Sequence, residues 1–213
     1  MMKKVLFVGS ECYPFIKTGG LADVMYALPK ALLKENLDVR VIMPKYNCIP
    51  QKYKDNMKYI THFYMDCGKN PEHKYVGILE YQMDGVTYYF IDNEQYFSKG
   101  NPYTSIAGDI ERFVFFDKAV LAALPVIGFE PDIIHCHDWQ AGMVPVCSLS
   151  FVAITVLMEY RAVLEWIHKE DWVALMDIVP STFPMLCGYV TLMLLANSIL
   201  LFKAKSDNKE KNS

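Results

Sequence analysis

The sequence KKVLFVGSECYPFIKTGGLADV occupies residues 3–24 and decides the fold. Residues 3–9 contain a short continuous apolar run, Val5 to Val8, which is typical of a central parallel strand covered on both faces. After a polar loop, apolar residues recur at helical spacing and predict a helix over 20–35, which Pro29 should kink or divide. Residues 37–43 then alternate between apolar and polar and predict a second strand. Strand, helix and strand in this order form a βαβ unit with a right-handed crossover.

The same patterns predict four further elements. They are a strand over 57–67, a hairpin over 74–92 that turns at Asp84-Gly85, a helix over 108–124 and a strand over 131–137. Helical spacing turns Ile110, Phe113, Val114, Leu121 and Leu124 inward and Asp109, Glu111 and Lys118 outward. The predicted fold class is therefore α/β, with a Rossmann-like doubly wound sheet. Because such sheets bind ligands where their parallel strands end, segments 10–20 and 135–142 mark the expected site.

Composition excludes several classes of protein. With 53% hydrophobic and 21% charged residues, the chain is not a disordered one. A net charge of −3 without a basic cluster before residue 203 predicts no nucleic-acid partner. The six cysteines contain no C-x-x-C pair and are expected to be reduced, packed thiols. After the two lysines only four consecutive apolar residues, Val5 to Val8, precede Gly9, and we expect no signal peptide because its apolar core needs about seven or more.

The loop before the first helix carries Lys17, Gly19 and Gly20. Glycines allow a ligand to approach the backbone closely, and a helix N-terminus favours an anion. A lysine there adds a positive charge suited to phosphate. The loop is neither a G-x-G-x-x-G nor a G-K-[ST] motif, because the lysine precedes the glycines. On spacing alone, an ordinary loop with a glycine turn is the simpler interpretation.

His135, His137 and Asp138 follow a predicted strand, where alternate side chains face the same side. Two histidines could suggest metal ligands, but no third and fourth ligand lie nearby at a recognisable spacing. We therefore expect no metal and no cofactor. A strand-to-helix turn with Asp138 as the helix N-cap explains these residues better.

The residues KTGGLADV, placed after a strand and an S-E-x-x-P stretch, resemble the opening of bacterial glycogen synthases and plant starch synthases. Other parts of residues 1–146 agree with that family. They are Ala27-Leu28-Pro29, Val39 to Pro44, Tyr103, the helix with Asp109, Glu111, Arg112 and Phe113, and the HCHDWQAG stretch at 135–142.

The resemblance implies the first half of a two-domain glycosyltransferase of the GT-B type. Such an enzyme transfers glucose from ADP-glucose to the non-reducing end of an α-1,4-glucan and retains configuration. It implies a cytoplasmic location, ADP-glucose and glucan as partners, and no metal.

The resemblance also assigns roles to individual residues. Lys17 is expected to contact the donor diphosphate, and Gly19 and Gly20 to offer it backbone N–H groups. Glu11, Asp23 and Asp138 are expected to line the cleft near the sugar or the acceptor, with Glu11 and Asp138 in catalytic roles. His137 and Tyr103 are expected to contact substrate. For Tyr96, Phe97 and Tyr103, stacking on glucose and filling the core remain alternatives.

After Val146 the resemblance ends. Residues 147–202 are expected to form an apolar helical segment, and residues 203–213 a charged disordered tail. The run from 178 to 202 carries no charge and is long enough for a membrane span at about 180–202. A very apolar helix that packs on a sheet is the alternative.

We expect a partial catalytic domain fused to an unrelated hydrophobic tail and inactive by itself, because the family's second domain has no counterpart in this sequence. Two alternatives stay open. One is a non-catalytic, membrane-tethered module that binds glucan or nucleotide, and the other is a compact enzyme with a diverged end.

Overall fold

A computed structural model describes residues 2–66 and 73–149. The strands are β1 (Lys4–Val8), β2 (Asp38–Pro44), β3 (Lys58–Asp66), β4 (His73–Met83), β5 (Val86–Asp92) and β6 (Ile133–Cys136). The helices are α1 (Leu21–Leu33), α2 (Gln51–Lys54), α3 (Glu94–Phe97) and α4 (Ile106–Val126). A 3₁₀ turn (Trp139–Ala141) follows β6, and a helix then begins at residue 143. The predicted apolar segment, membrane span and charged tail lie outside the described residues.

The strands form one six-stranded mixed sheet in the order β3-β4-β5-β2-β1-β6. β1, β2, β5 and β6 are parallel, whereas β4 is antiparallel to both of its neighbours. The predicted hairpin is confirmed: Asp84 and Gly85 have φ of 53° and 81°, as a tight two-residue hairpin turn requires. The predicted strands at 3–9 and 37–43 and the predicted helix at 20–35 are confirmed within a few residues, and α1 continues through Pro29 without being divided.

The core is built on β1, whose Leu6, Phe7 and Val8 are fully buried. On one face of the sheet, Phe15 from the loop after β1 packs edge-on against Tyr88 and Phe90 of β5. The loop that carries the candidate site is thereby tied to the sheet, because one of its own residues belongs to the core.

The prediction for α4 was wrong at its N-terminal end. Ile110 is 52% exposed, whereas Asp109 is buried. Asp109 turns inward because it accepts hydrogen bonds from Thr104 and Arg112, which compensate its burial. A pattern that places only apolar residues inside cannot find such a buried polar pair.

Two of the connections between strands run to opposite sides of β1. The chain leaves β1 through α1 to reach β2 on one side, whereas α4 leads from β5 to β6 on the other side of β1. The carboxyl ends of β1 and β6 therefore form the switch point at which open α/β sheets bind ligands. Both polar segments that were predicted to mark the site leave the sheet there. Within residues 2–66 and 73–149, no helix is long and apolar enough to cross a membrane.

Candidate functional site

Glu11 shapes the loop between β1 and α1. Its side chain is buried, and Oε2 accepts hydrogen bonds from the backbone N–H of Thr18 at 2.5 Å and from Thr18 Oγ1 at 2.9 Å. A buried carboxylate needs such donors, because burial without them is costly. Glu11 therefore fixes the segment immediately before the two glycines.

The N-terminus of α1 is open. Gly20 is the N-cap residue, and no side chain caps the helix there. A Cβ at Gly20 would meet no heavy atom within 4 Å, and one at Gly19 would meet only Glu11 Oε1, at 3.9 Å. The first-turn N–H groups of a helix have no partner within the helix, so they attract an anion.

Lys17 lies beside this helix end. Its Nζ contacts both carboxylate oxygens of Asp23, at 2.8 and 2.7 Å. The two side chains are 48% and 55% exposed, and an ion pair so exposed contributes little to stability. Lys17 can therefore exchange the carboxylate for a phosphate oxygen at small cost. Its predicted contact with a diphosphate remains a prediction.

Tyr103 reaches the same loop from the segment before α4. Its hydroxyl lies 2.8 Å from the Oγ of the buried Ser10. Burial raises the pKa of Tyr103, and the negative charges of Glu11 and Asp138 raise it further. The predicted residues Glu11, Tyr103 and Asp138 therefore share one neighbourhood. Ser10 was not predicted as a site residue.

A buried ion pair anchors the segment that carries Tyr103. Asp109 accepts hydrogen bonds from the backbone and hydroxyl of Thr104 and from Arg112. Burial works against the charged form of Asp109, but these donors outweigh it and lower its pKa. The motif resemblance included Asp109 and Arg112 without indicating this anchoring contact.

His135 and His137 stack on each other, with ring centroids 4.5 Å apart, and both stack on Phe7. The two rings lie on the same side of the chain, as predicted for residues two positions apart in a strand. Burial, and then the neighbouring His135, lower the pKa of His137. Its buried Nε2 has no hydrogen-bond partner among the described residues. That part of the chain also contains no cluster of three or more His, Cys, Asp or Glu side chains able to hold a metal ion.

Asp138 has an unusual backbone conformation, with φ 64° and ψ 179°. Only glycine adopts this region without strain, and strained residues of this kind concentrate at functional sites. The side chain accepts a hydrogen bond from the N–H of Trp139 at 2.7 Å, so Asp138 caps the 3₁₀ turn and not, as predicted, the helix, which begins at residue 143. Trp139 in turn packs edge-on against Phe113 of α4.

Asp117 is a buried carboxylate that the sequence analysis missed. Its Oδ2 accepts a hydrogen bond from the N–H of Met143 at 2.8 Å, at the start of the helix that follows the Asp138 turn. Burial raises the pKa of Asp117 to about 7, against the opposing effect of hydrogen bonds from Met143 and Val144. The sequence signal that could have revealed Asp117 is its position as an acidic residue within the largely apolar stretch 113–124.

The structure distinguishes the two roles, stacking on glucose or filling the core, that were left open for Tyr96, Phe97 and Tyr103. Phe97 is buried, and Tyr96 stacks on Phe115 at 4.5 Å, so both fill the core. Tyr103 is half-buried and remains the aromatic residue of the three that borders the site.

An open α/β sheet with a lysine and two glycines at its switch point defines a class of domain suited to phosphorylated ligands. A family model described as "Starch synthase catalytic domain" matches residues 4–168. The chain therefore belongs to the starch synthase catalytic domain family.

Curated relatives agree with this assignment. The chain is 60% identical over 145 residues to a glycogen synthase of Lachnoclostridium phytofermentans and 58% identical over 145 residues to one of Lachnospira eligens. Each alignment covers 68% of this chain and 30% of the relative. The chain thus spans about a third of the length of these relatives.

A solved structure is also similar. It is the catalytic domain of starch synthase IV from Arabidopsis thaliana bound to ADP and acarbose. The TM-score is 0.60 at 31% identity, and the alignment covers 68% of this chain and 29% of that chain.

Proposed function

We propose that the described residues form one wall of the donor site of a glucosyltransferase of the glycogen and starch synthase type. The proposed reaction transfers glucose from ADP-glucose to the non-reducing end of an α-1,4-glucan, with retention of configuration. The observation that carries this proposal is the open N-terminus of α1, with Gly19 and Gly20 ahead of it and Lys17 beside it. The starch synthase IV structure, which contains ADP, supports it.

The geometry suggests how these residues act. As the glucose–phosphate bond breaks, negative charge grows on the departing ADP, and fixed positive groups stabilise it. Lys17 Nζ and the first N–H groups of α1 supply that positive field without a metal ion. Glu11 keeps the loop in place through Thr18, so the N–H groups are oriented before the ligand arrives.

The remaining residues are assigned to the sugar and the acceptor. Asp138, His137 and Tyr103 border the same switch point, and Asp138 is held in a strained backbone conformation. We assign Asp138 and Glu11 catalytic roles, and Asp23, His137 and Tyr103 substrate contacts. The donor site needs a second wall that the described residues do not supply, so we expect this chain alone to show no turnover.

The relatives favour this transferase over a non-catalytic binding module. We further propose a cytoplasmic location. The proposed membrane contact depends on residues outside those that the structure describes.

Calorimetric titration with ADP-glucose tests the proposal. Lys17→Ala removes one charged hydrogen-bond donor and should weaken binding by about 10- to 100-fold. Lys34→Ala, an exposed lysine just beyond α1, is the matched control and should bind like the unmodified chain. The absence of ADP-glucose binding, or equal binding by Lys17→Ala, would refute the proposal. Incorporation of labelled glucose into glycogen by the pure chain would contradict only the expected lack of turnover.

A further inference from the structure

The outer hairpin of the sheet carries exposed aromatic side chains that the proposed donor site does not use. We define the aromatic platform as Tyr59, His62, Tyr64 and Tyr75, on β3 and β4. Tyr59 and Tyr64 are 53% and 60% exposed. β3 is an edge strand, where exposed aromatic surface favours unwanted pairing with other chains. Contiguous exposed apolar surface of this kind commonly marks a binding site.

The platform is an ordered layer of rings. His62 and Tyr75 are stacked, with centroids 5.5 Å apart and 27° between their planes. Tyr64 packs edge-on against Tyr75 at 5.9 Å. The Tyr59 hydroxyl lies 2.5 Å from His62 Nδ1. Each ring is thus held by a neighbour, which reduces the entropy that a ligand's binding would otherwise cost.

A glycine makes room for this layer. Gly77 pairs directly with His62 across the two strands. A Cβ at Gly77 would lie 2.7 Å from the Tyr75 hydroxyl oxygen, a distance that no Cβ tolerates. Glycine weakens a strand, and inside one it often marks close approach of another group. Here Gly77 allows the Tyr75 ring to lie over the strand beside His62.

One end of the platform lies at the same edge of the sheet as the proposed donor site. Gly77 pairs with Asp92, the last residue of β5, so Tyr75 and its partner Tyr64 lie where the parallel strands end. β3 is four strands away from β1, a distance of about 19 Å at the usual spacing. An extended polymer can span that distance, whereas a small ligand cannot.

We propose that the aromatic platform binds a chain of glucose units and holds the glucan at a second position along the sheet edge. The identity of the sugar rests on the proposed function. Aromatic rings stack on the C–H faces of sugar rings, while the tyrosine hydroxyls and the imidazole can hydrogen-bond to sugar hydroxyls. In the described parts of β3 and β4, the exposed large hydrophobic residues are Tyr59 and Tyr64, with no aliphatic residue among them. That composition suits a neutral polyhydroxylated chain better than the apolar surface of a protein.

Titration of the full chain with maltoheptaose tests this inference. Tyr59→Ala combined with Tyr64→Ala should weaken binding by about tenfold or more, because two stacking rings are lost. Gly77→Ala should weaken it as well by displacing Tyr75. Thr61→Ala is the matched control, since it changes the opposite face of the same strand and should leave affinity unchanged. Thermal melts check that each variant is folded.

The outcomes separate this inference from the proposed function. Support requires that the double variant loses maltoheptaose affinity but binds ADP-glucose like the unmodified chain. Unchanged maltoheptaose affinity in the folded double variant would overturn the inference, as would no maltoheptaose binding by the unmodified chain. A dimer in sedimentation that the double variant dissociates would assign the surface to a second copy and also overturn it. The proposed function is tested separately, by ADP-glucose binding to the unmodified chain, and none of these maltoheptaose results bears on it.

Discussion

Asp117 shows how a single buried side chain supports the site from a distance. It lies on α4, and its carboxylate holds the first turn of the helix that follows the Asp138 turn. Its other oxygen, Oδ1, is buried without a hydrogen-bond partner among the described residues. Burial therefore disfavours the charged form and raises the pKa to about 7.

The raised pKa predicts a pH dependence of stability. The ordinary pKa of an aspartate is about 3.9, so the folded state binds the proton more tightly than the unfolded chain. Stability should therefore fall as pH rises from about 4 to about 7 and then level off. Asp117→Asn keeps the oxygen that accepts the Met143 hydrogen bond but carries no charge. It should be more stable than the unmodified chain at pH 8, by up to about 4 kcal/mol, and the difference should shrink toward pH 4.

Denaturant unfolding at several pH values measures this effect. The exposed Asp55→Asn variant is the control and should not change the pH profile. Parallel profiles for Asp117→Asn and the unmodified chain would show that Asp117 is not responsible.

At the scale of elements, the N-terminus of α1 combines two requirements. The helix needs no glycine there for its own geometry, because Gly20 has φ −70° and ψ −19°, which any residue adopts. A Cβ at Gly20 would meet nothing within 4 Å. The fold therefore does not require glycine at this position, and we propose that the approach of a ligand to this helix end explains it.

This explanation predicts that stability and binding respond differently to Gly20→Ala. Unfolding free energy should change by no more than about 1 kcal/mol, since the backbone conformation suits alanine. The added methyl group should block the first-turn N–H groups and weaken ADP binding by about 10-fold or more. Chemical unfolding and calorimetry on the same sample measure both quantities. A variant that binds ADP normally would refute this role for Gly20.

The elements themselves follow from sequence patterns because their signals are local. The apolar run of β1, the helical spacing of α1 and the Asp84-Gly85 turn each involve neighbouring residues. The Asp109–Arg112 pair and Asp117 escape such patterns, because their burial depends on partners that meet only in the folded chain. For the same reason, the motif could point to Glu11 but not to its contact with Thr18.

At the scale of the whole molecule, both connections from the switch point bring candidate functional segments to one edge of the sheet. The lysine–diglycine loop follows β1, the Asp138 turn follows β6, and the aromatic platform lies farther along the same edge. An enzyme that joins a nucleotide sugar to a polymer needs a compact site for the first and an extended surface for the second. Under the proposed function and the further inference, this sheet edge would supply both.

The most direct test of the central claim is an amide NMR titration of the ¹⁵N-labelled chain with ADP. The account predicts that the largest chemical-shift changes fall on the backbone N–H groups of Gly19, Gly20 and Leu21, at the start of α1. Saturating ADP that leaves those three amides unmoved, or that moves only amides elsewhere on the sheet, would contradict it.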